Sequence, residues 1–196
     1  MHIQIPANTA GITLGQYVDY NLATSDIERM VVITGKSRKT IEGLKADTVR
    51  EILESYEVSC VTGAPKHEQT FLIGAVRYGF IPDINAMTFG EHVDLDAYSR
   101  KAYSDGQVDY KSLVGLIAIM FRPVTEQLGK YYNIEPYDSV ACKKRLDDIR
   151  QITLDRVNGA LVFFSTIVSE LTANSTEYLE EVMKETMKTV LKPQAD

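Results

Sequence analysis

The sequence predicts an α+β fold, predominantly helical, with one small antiparallel sheet. Three observations predict it. Apolar residues recur at helical spacing in most segments, the stretch 71–81 (FLIGAVRYGFI) mixes β-branched and aromatic residues with Gly74 and Gly79, and prolines close the strand-like runs. The sheet is expected to combine a hairpin over about 70–81 with short strands near 2–5 and 131–136, all packed by helices.

In chain order, residues 2–5 alternate polar and apolar, with Ile3 and Ile5 on one face and Pro6 as terminator, the pattern of an edge strand. Thr13 and Gln16 stand three apart, the spacing of a capping box, and open a helix with Leu14, Tyr17, Val18 and Leu22 on its buried side. Ser25 caps a second helix with Asp26 and Glu28 in its first turn, and Gly35 stops it. Residues 36–45 are basic and broken by Gly43; Asp47 then caps a helix with Val49, Ile52, Leu53 and Tyr56 on one stripe.

After the loop TGAPKHEQ comes the hairpin, which Pro82 ends because it has no N–H to give a ladder. Thr88 and Glu91 repeat the capping-box spacing and start a helix over 88–98. Asp105 and Gly106 mark a turn, and Leu113, Leu116, Ile117 and Met120 belong to a central helix that exits at Pro123. YYNIEPY alternates like a strand and is expected to pair with the hairpin. From Asp138 the chain reads as a charged helix to Arg150 and a long one from about Thr153. The buried stripe of the long helix is Leu154, Val157, Ala160, Leu161, Phe164, Val168 and Leu171, and a last helix opens at Ser175.

At 196 residues the chain fits a single domain over 1–196. An internal echo suggests substructure: TLGQYVDYN at 13–21 returns as TFGEHVDLD at 88–96, a 75-residue offset with identical Thr, Gly, Val and Asp. Duplication would give pseudo-repeat units 1–60 and 69–135 followed by a helical segment 138–191; convergence of two well-capped helices is the alternative.

A net charge of −6 disfavours a nucleic-acid partner. Two cysteines, Cys60 and Cys142, without CxxC spacing suit a reducing, intracellular setting better than a disulfide scaffold, and no segment has the pattern of a signal peptide or a membrane span. Glu91, His92, Asp94 and Asp96 are the best candidates for chemistry, since His92 and Asp96 share a helix face at a spacing that can hold a metal. Against that, Glu91 is expected to serve its capping box and acidic residues suit a helix start anyway. His2 and His67 are expected to be solvated, the two thiols idle, and Lys143, Lys144 and Arg145 paired with Asp147 and Asp148 on a solvated face. Arg122 is expected to bond helix-end carbonyls or to pair with Asp94 or Glu135. No nucleophile elbow or phosphate-binding glycine loop is present, and no cofactor is expected.

The words YGFIPDINAMTFGEHVDLDAY, AIMFRPVTEQLGKYYNIEPY and ALVFFSTIVSEL, in that order, resemble a set of small tailed-bacteriophage proteins. In that set a TFGE box follows a YGFIPN-like strand and an LYRP-like box closes the next helix. The resemblance spans about residues 3–172. It places family boxes on Phe80, Ile81, Pro82, Thr88, Phe89, Gly90, Glu91, Asp94, Asp96, Arg122, Pro123, Glu135 and Tyr137, with Thr13 and Gln16 as the echoed cap. These look structural in the family, and His92 stands where an aromatic is expected. The resemblance implies a non-enzymatic protein of virion morphogenesis, a tail assembly chaperone or a tail or baseplate component. Its partners would be other phage virion proteins or copies of itself, without nucleic acid or membrane, in the host cytoplasm during assembly or in the virion. The competing expectation is a metal-dependent enzyme using Glu91, His92, Asp94 and Asp96.

Overall fold

A computed structural model describes residues 3–104 and 107–166. It has two compact units, Met1–Ala160 and Leu161–Asp196. In the second, residues 161–166 are described and are helical, with Val162 and Phe163 on the surface. All that follows concerns the first. The expected turn at Asp105–Gly106, His2, Val168, Leu171 and the helix from Ser175 lie outside the described residues.

The fold is the expected one, mainly helical with a four-stranded antiparallel sheet. Helix α1 (Leu14–Leu22) opens on a complete capping box, in which Thr13 Oγ1 accepts from the Gln16 N–H and Gln16 Oε1 accepts from the Thr13 N–H. Its buried side differs from expectation at one end. Leu22 is half exposed, while Tyr20 is buried against the ring of Tyr56 at 4.8 Å. Helix α2 (Asp26–Thr34) runs from its Ser25 cap to Gly35, which takes φ +63° to end it. A short helix α3 (Arg38–Glu42) lies in the basic stretch and buries Ile41. Helix α4 (Ala46–Val61) starts before Asp47, which pairs with Arg50 in its first turn instead of capping it; Ile52 and Tyr56 carry the buried stripe.

Strands β1 (Thr70–Ile73) and β2 (Val76–Phe80) form the hairpin, with Gly74 at φ +57° in the turn. Gly79 has another purpose: a Cβ there would stand 2.6 Å from the ring of Tyr132, whose hydroxyl donates to the Phe80 carbonyl. Helix α5 (Phe89–Ala102) leads through short strands β3 (Tyr103–Ser104) and β4 (Gln107–Val108) into α6 (Tyr110–Met120), which is buried nearly all round. Strand β5 (Phe121–Leu128) follows without a loop and pairs with β6 (Tyr131–Ile134), giving the order β1-β2-β5-β6.

Thus β6 adds to β5 and not to the hairpin, and β5 itself was hidden by Pro123. A proline fits inside this strand because the β2 ladder ends at Tyr78 opposite Pro123, so no N–H is needed there; the Pro123 carbonyl accepts from Glu135. The edge strand expected near 2–5 is not formed by residues 3–5. Ile3 and Ile5 are half-buried, but the segment lies outside any sheet and the Pro6 carbonyl accepts from the Ser59 hydroxyl of α4. The single charged helix expected to Arg150 is two, α7 (Ser139–Lys144) and α8 (Leu146–Ile149), parted at Arg145. Helix resumes at residue 154. The rings of Phe71 and Phe80 meet Phe121 edge-on at 5.0 and 5.4 Å and fix the sheet face against the helices.

The echo extends upstream in three dimensions. Asn8 caps a 3-10 turn at Thr9–Gly11 and Asp83 caps one at Ile84–Ala86, at the same 75-residue offset, each followed by one extended residue and the threonine cap. The copies differ at their glycines. A Cβ on Gly15 would lie 3.1 Å from the Arg150 carbonyl oxygen and 3.2 Å from its Cβ, whereas one on Gly90 would meet nothing within 4 Å. Gly15→Ala is therefore expected to cost about 1–3 kcal/mol by overpacking. Gly90→Ala should be neutral or stabilising by up to about 1 kcal/mol. Paired urea melts check this, and equal losses would contradict it.

Candidate functional site

The carboxylates singled out on α5 divide by helix face. Glu91, Asp94 and Leu95 turn inward; His92 and Asp96 are exposed, and Asp96 pairs with Arg100 one turn on. The quartet therefore does not converge, and no group of three or more His, Cys, Asp or Glu among the described residues is arranged to hold a metal.

What converges instead is an ionic cluster between α5, the start of β5 and the segment leading into α7. Thr88 does accept from the Glu91 N–H, yet the Glu91 carboxylate does not return to the cap. It accepts from Arg122 Nη2 at 2.5 Å, with the two side chains only 6% and 4% exposed. A buried guanidinium without a counter-charge costs far more than an unfilled bond at a cap, so the cation wins the carboxylate. Arg122 is held by its place in β5 opposite Gly79, and its guanidinium lies 5.8 Å from the centre of the Tyr137 ring. Burial pulls the Arg122 pKa down while Glu91 opposes that pull.

Asp94 and Glu135, the partners expected for Arg122, are taken by others. The Tyr137 hydroxyl donates to Asp94, and Arg145 pairs with Glu135. Asp148 accepts from the buried Tyr78 hydroxyl at 2.8 Å, so Arg145 and Asp148 face inward and not onto the solvated face expected of their segment. Sequence spacing gave no sign of Tyr78–Asp148, because its two halves lie on elements far apart in the chain. Of the other residues singled out, Phe80 is core, Pro82 follows β2 on the surface, and Thr13 and Gln16 form their box 75 residues before Thr88 and Glu91. His67 sets its ring edge-on to Phe80 at 5.4 Å, and burial lowers its pKa.

Beside the cluster, α5, α6 and α7 enclose a cleft of about 190 Å³ lined by Asp94, Tyr98, Gly115, Tyr137, Cys142 and Lys143 among others. Cys142 is buried, and burial raises its thiol pKa, as it raises that of Cys60 to about 11. Neither is a thiolate near neutral pH. Both are expected to react with a disulfide reagent at pH 8 much more slowly in the folded chain than in denaturant; a burst of one thiol in native buffer would contradict this.

By fold the chain is a predominantly helical α+β protein built round a buried ionic cluster. Comparison with protein-family models, characterised proteins and solved structures returned no match to it. Among the described residues no helix is long and apolar enough to cross a membrane.

Proposed function

We propose that this chain is a non-enzymatic bacteriophage protein of virion assembly, acting in tail morphogenesis through contacts with other virion proteins. One observation carries the proposal. Of the polar residues that bear the phage resemblance, Thr88, Glu91, Asp94, Arg122, Glu135 and Tyr137 bond one another or Arg145 within the fold, while Asp96 pairs with Arg100 on the surface. Such residues build a scaffold. The outer surface meanwhile presents large apolar side chains, Leu72 on β1, Phe89 on α5, and Leu128 and Tyr131 flanking the β5–β6 turn, which suit protein contacts.

The site of action would be the host cytoplasm during assembly, with retention in the particle if the chain is a structural component. Mass spectrometry of purified virions separates a retained component from a transient chaperone, and co-purification from infected cells identifies the partner. Absence from particles together with recovery of no virion protein would sink the proposal.

A further inference from the structure

We infer that the main chain at residues 87–90, with Phe89 and the cleft beside Asp94, is a docking edge for a turned, arginine-bearing segment of a partner protein. The first copy of the echoed motif shows what such an edge holds. There the Leu14 N–H donates to the Ile152 carbonyl at 2.7 Å, and the Leu154 N–H donates to the Ile12 carbonyl at 2.9 Å. Thr13 faces Thr153 in an antiparallel bridge between them. The Gly15 N–H donates to the Arg150 carbonyl at 2.7 Å. The Arg150 side chain then runs over the bare face of Gly15 to give Nη2 to the Gly15 carbonyl at 3.3 Å and to Asp19 at 2.7 Å. Leu14 is fully buried, at 0% exposure.

Met87, Thr88, Phe89, Gly90 and Asp94 hold the corresponding places in the second copy, after the same 3-10 turn. The threonine caps share one conformation, φ −84° and ψ 154° at Thr13 against φ −70° and ψ 156° at Thr88. Yet among the described residues nothing does here what residues 150–154 do there. The Phe89 and Gly90 N–H groups have no acceptor, Phe89 is 83% exposed where its counterpart is sealed, and the space over Gly90 that Arg150 fills in the first copy is empty. A glycine with open space on its bare face and a bulky ring beside it in solvent are costs that internal packing does not explain.

The chemistry of the missing segment follows from the edge. The two N–H donors lie on successive residues of a helix start and point the same way, so with the Met87 carbonyl they ask for a segment that turns as residues 150–154 do, accepting through carbonyls two residues apart. Asp94, at the motif position of Asp19, accepts from the Tyr137 hydroxyl at Oδ2, which leaves Oδ1 for a second donor, and it lines the cleft of about 190 Å³ together with Tyr98 and Tyr137. A carboxylate with aromatic rings around it suits a flat guanidinium. Lys143 lines the same cleft, so the arginine belongs on its Asp94 side. The inference does not depend on the phage assignment.

The test is a titration of the isotope-labelled full chain with the synthetic peptide DDIRQITLD, residues 147–155, which carries the segment seated on the first copy. The Phe89 and Gly90 amide resonances are expected to shift saturably. Replacing the peptide arginine by alanine, or Asp94→Asn in the protein, should weaken binding about tenfold or more. Gly90→Leu should abolish it without lowering the melting temperature. No shift at residues 87–94 up to about 5 mM peptide, far weaker than a working interface, overturns the inference. So does unimpaired binding by Gly90→Leu, or movement confined to Leu14 and Gly15. If the Phe89 shift instead tracks protein concentration without peptide, the occupant is a second copy and the partner assignment fails.

Discussion

Arg122→Met is expected to lower the free energy of unfolding by about 3–5 kcal/mol, because it leaves the Glu91 carboxylate buried and without its counter-charge. Glu91 is almost wholly enclosed, with the Arg122 guanidinium 2.5 Å away, so water cannot take over the solvation that Arg122 supplies. The reverse change, Glu91→Leu, should cost a similar amount, since Arg122 Nε already lacks a hydrogen-bond partner among the described residues and the guanidinium would keep only the face of Tyr137. The double variant Arg122→Met/Glu91→Leu, which removes both charges together, should recover most of the loss. Buried pairs replaced by apolar groups of like volume are often neutral or better. Urea melts of the three variants at pH 7 form a double-mutant cycle. Simple addition of the two single losses would show that the pair is not the unit of stability claimed for it.

That pair also marks where the sequence stopped being legible. Elements specified by neighbours in the chain were readable: the Thr13–Gln16 box, the helix from Ser25 to Gly35, and the hairpin turning at Gly74 all satisfy local rules and met no stronger competitor. Thr88 and Glu91 obey the same spacing rule, but a buried arginine 31 residues away outbid the cap N–H for the carboxylate. Strand β5 was obscured for a related reason. The objection to a proline in a central strand lapses only when the position where pairing on one side ends is known, and that is a fact of register. Ile3 and Ile5 show the opposite error: an alternating pattern is a strand only if an edge is there to receive it, and the one near Pro6 is a helix. For the candidate site, the resemblance implies a structural part for the boxes containing Glu91, Asp94, Arg122, Glu135 and Tyr137. Their pairings, and the recruitment of Arg145 and Asp148, needed the fold.

The chain is expected to unfold steeply at alkaline pH, well before its net charge alone would require it. Three tyrosine hydroxyls donate to carboxylates, Tyr20 to Glu57, Tyr78 to Asp148 and Tyr137 to Asp94, and Tyr20, Tyr56 and Tyr78 are buried. Burial first, and the adjacent carboxylate second where there is one, raise the pKa of each of these phenols above 10, and burial with neighbouring Tyr110 raises Tyr17 to about 12. A phenol whose pKa is higher folded than unfolded contributes stability that is whole below the unfolded pKa and is lost as pH rises through the folded one. The unfolded chain releases its protons near pH 10, so above that the folded state falls behind by about 1.4 kcal/mol per pH unit for every tyrosine obliged to stay neutral. Three buried tyrosines acting together would consume most of an ordinary stability within about two units. Urea melts between pH 8 and 11 should show this slope, and Tyr78→Phe, with no proton to lose beside Asp148, should flatten it while lowering stability at pH 8. An unchanged slope in Tyr78→Phe would mean that the phenol of Tyr78 ionises in the folded chain as freely as in water, which its 1% exposure and its bond to Asp148 oppose.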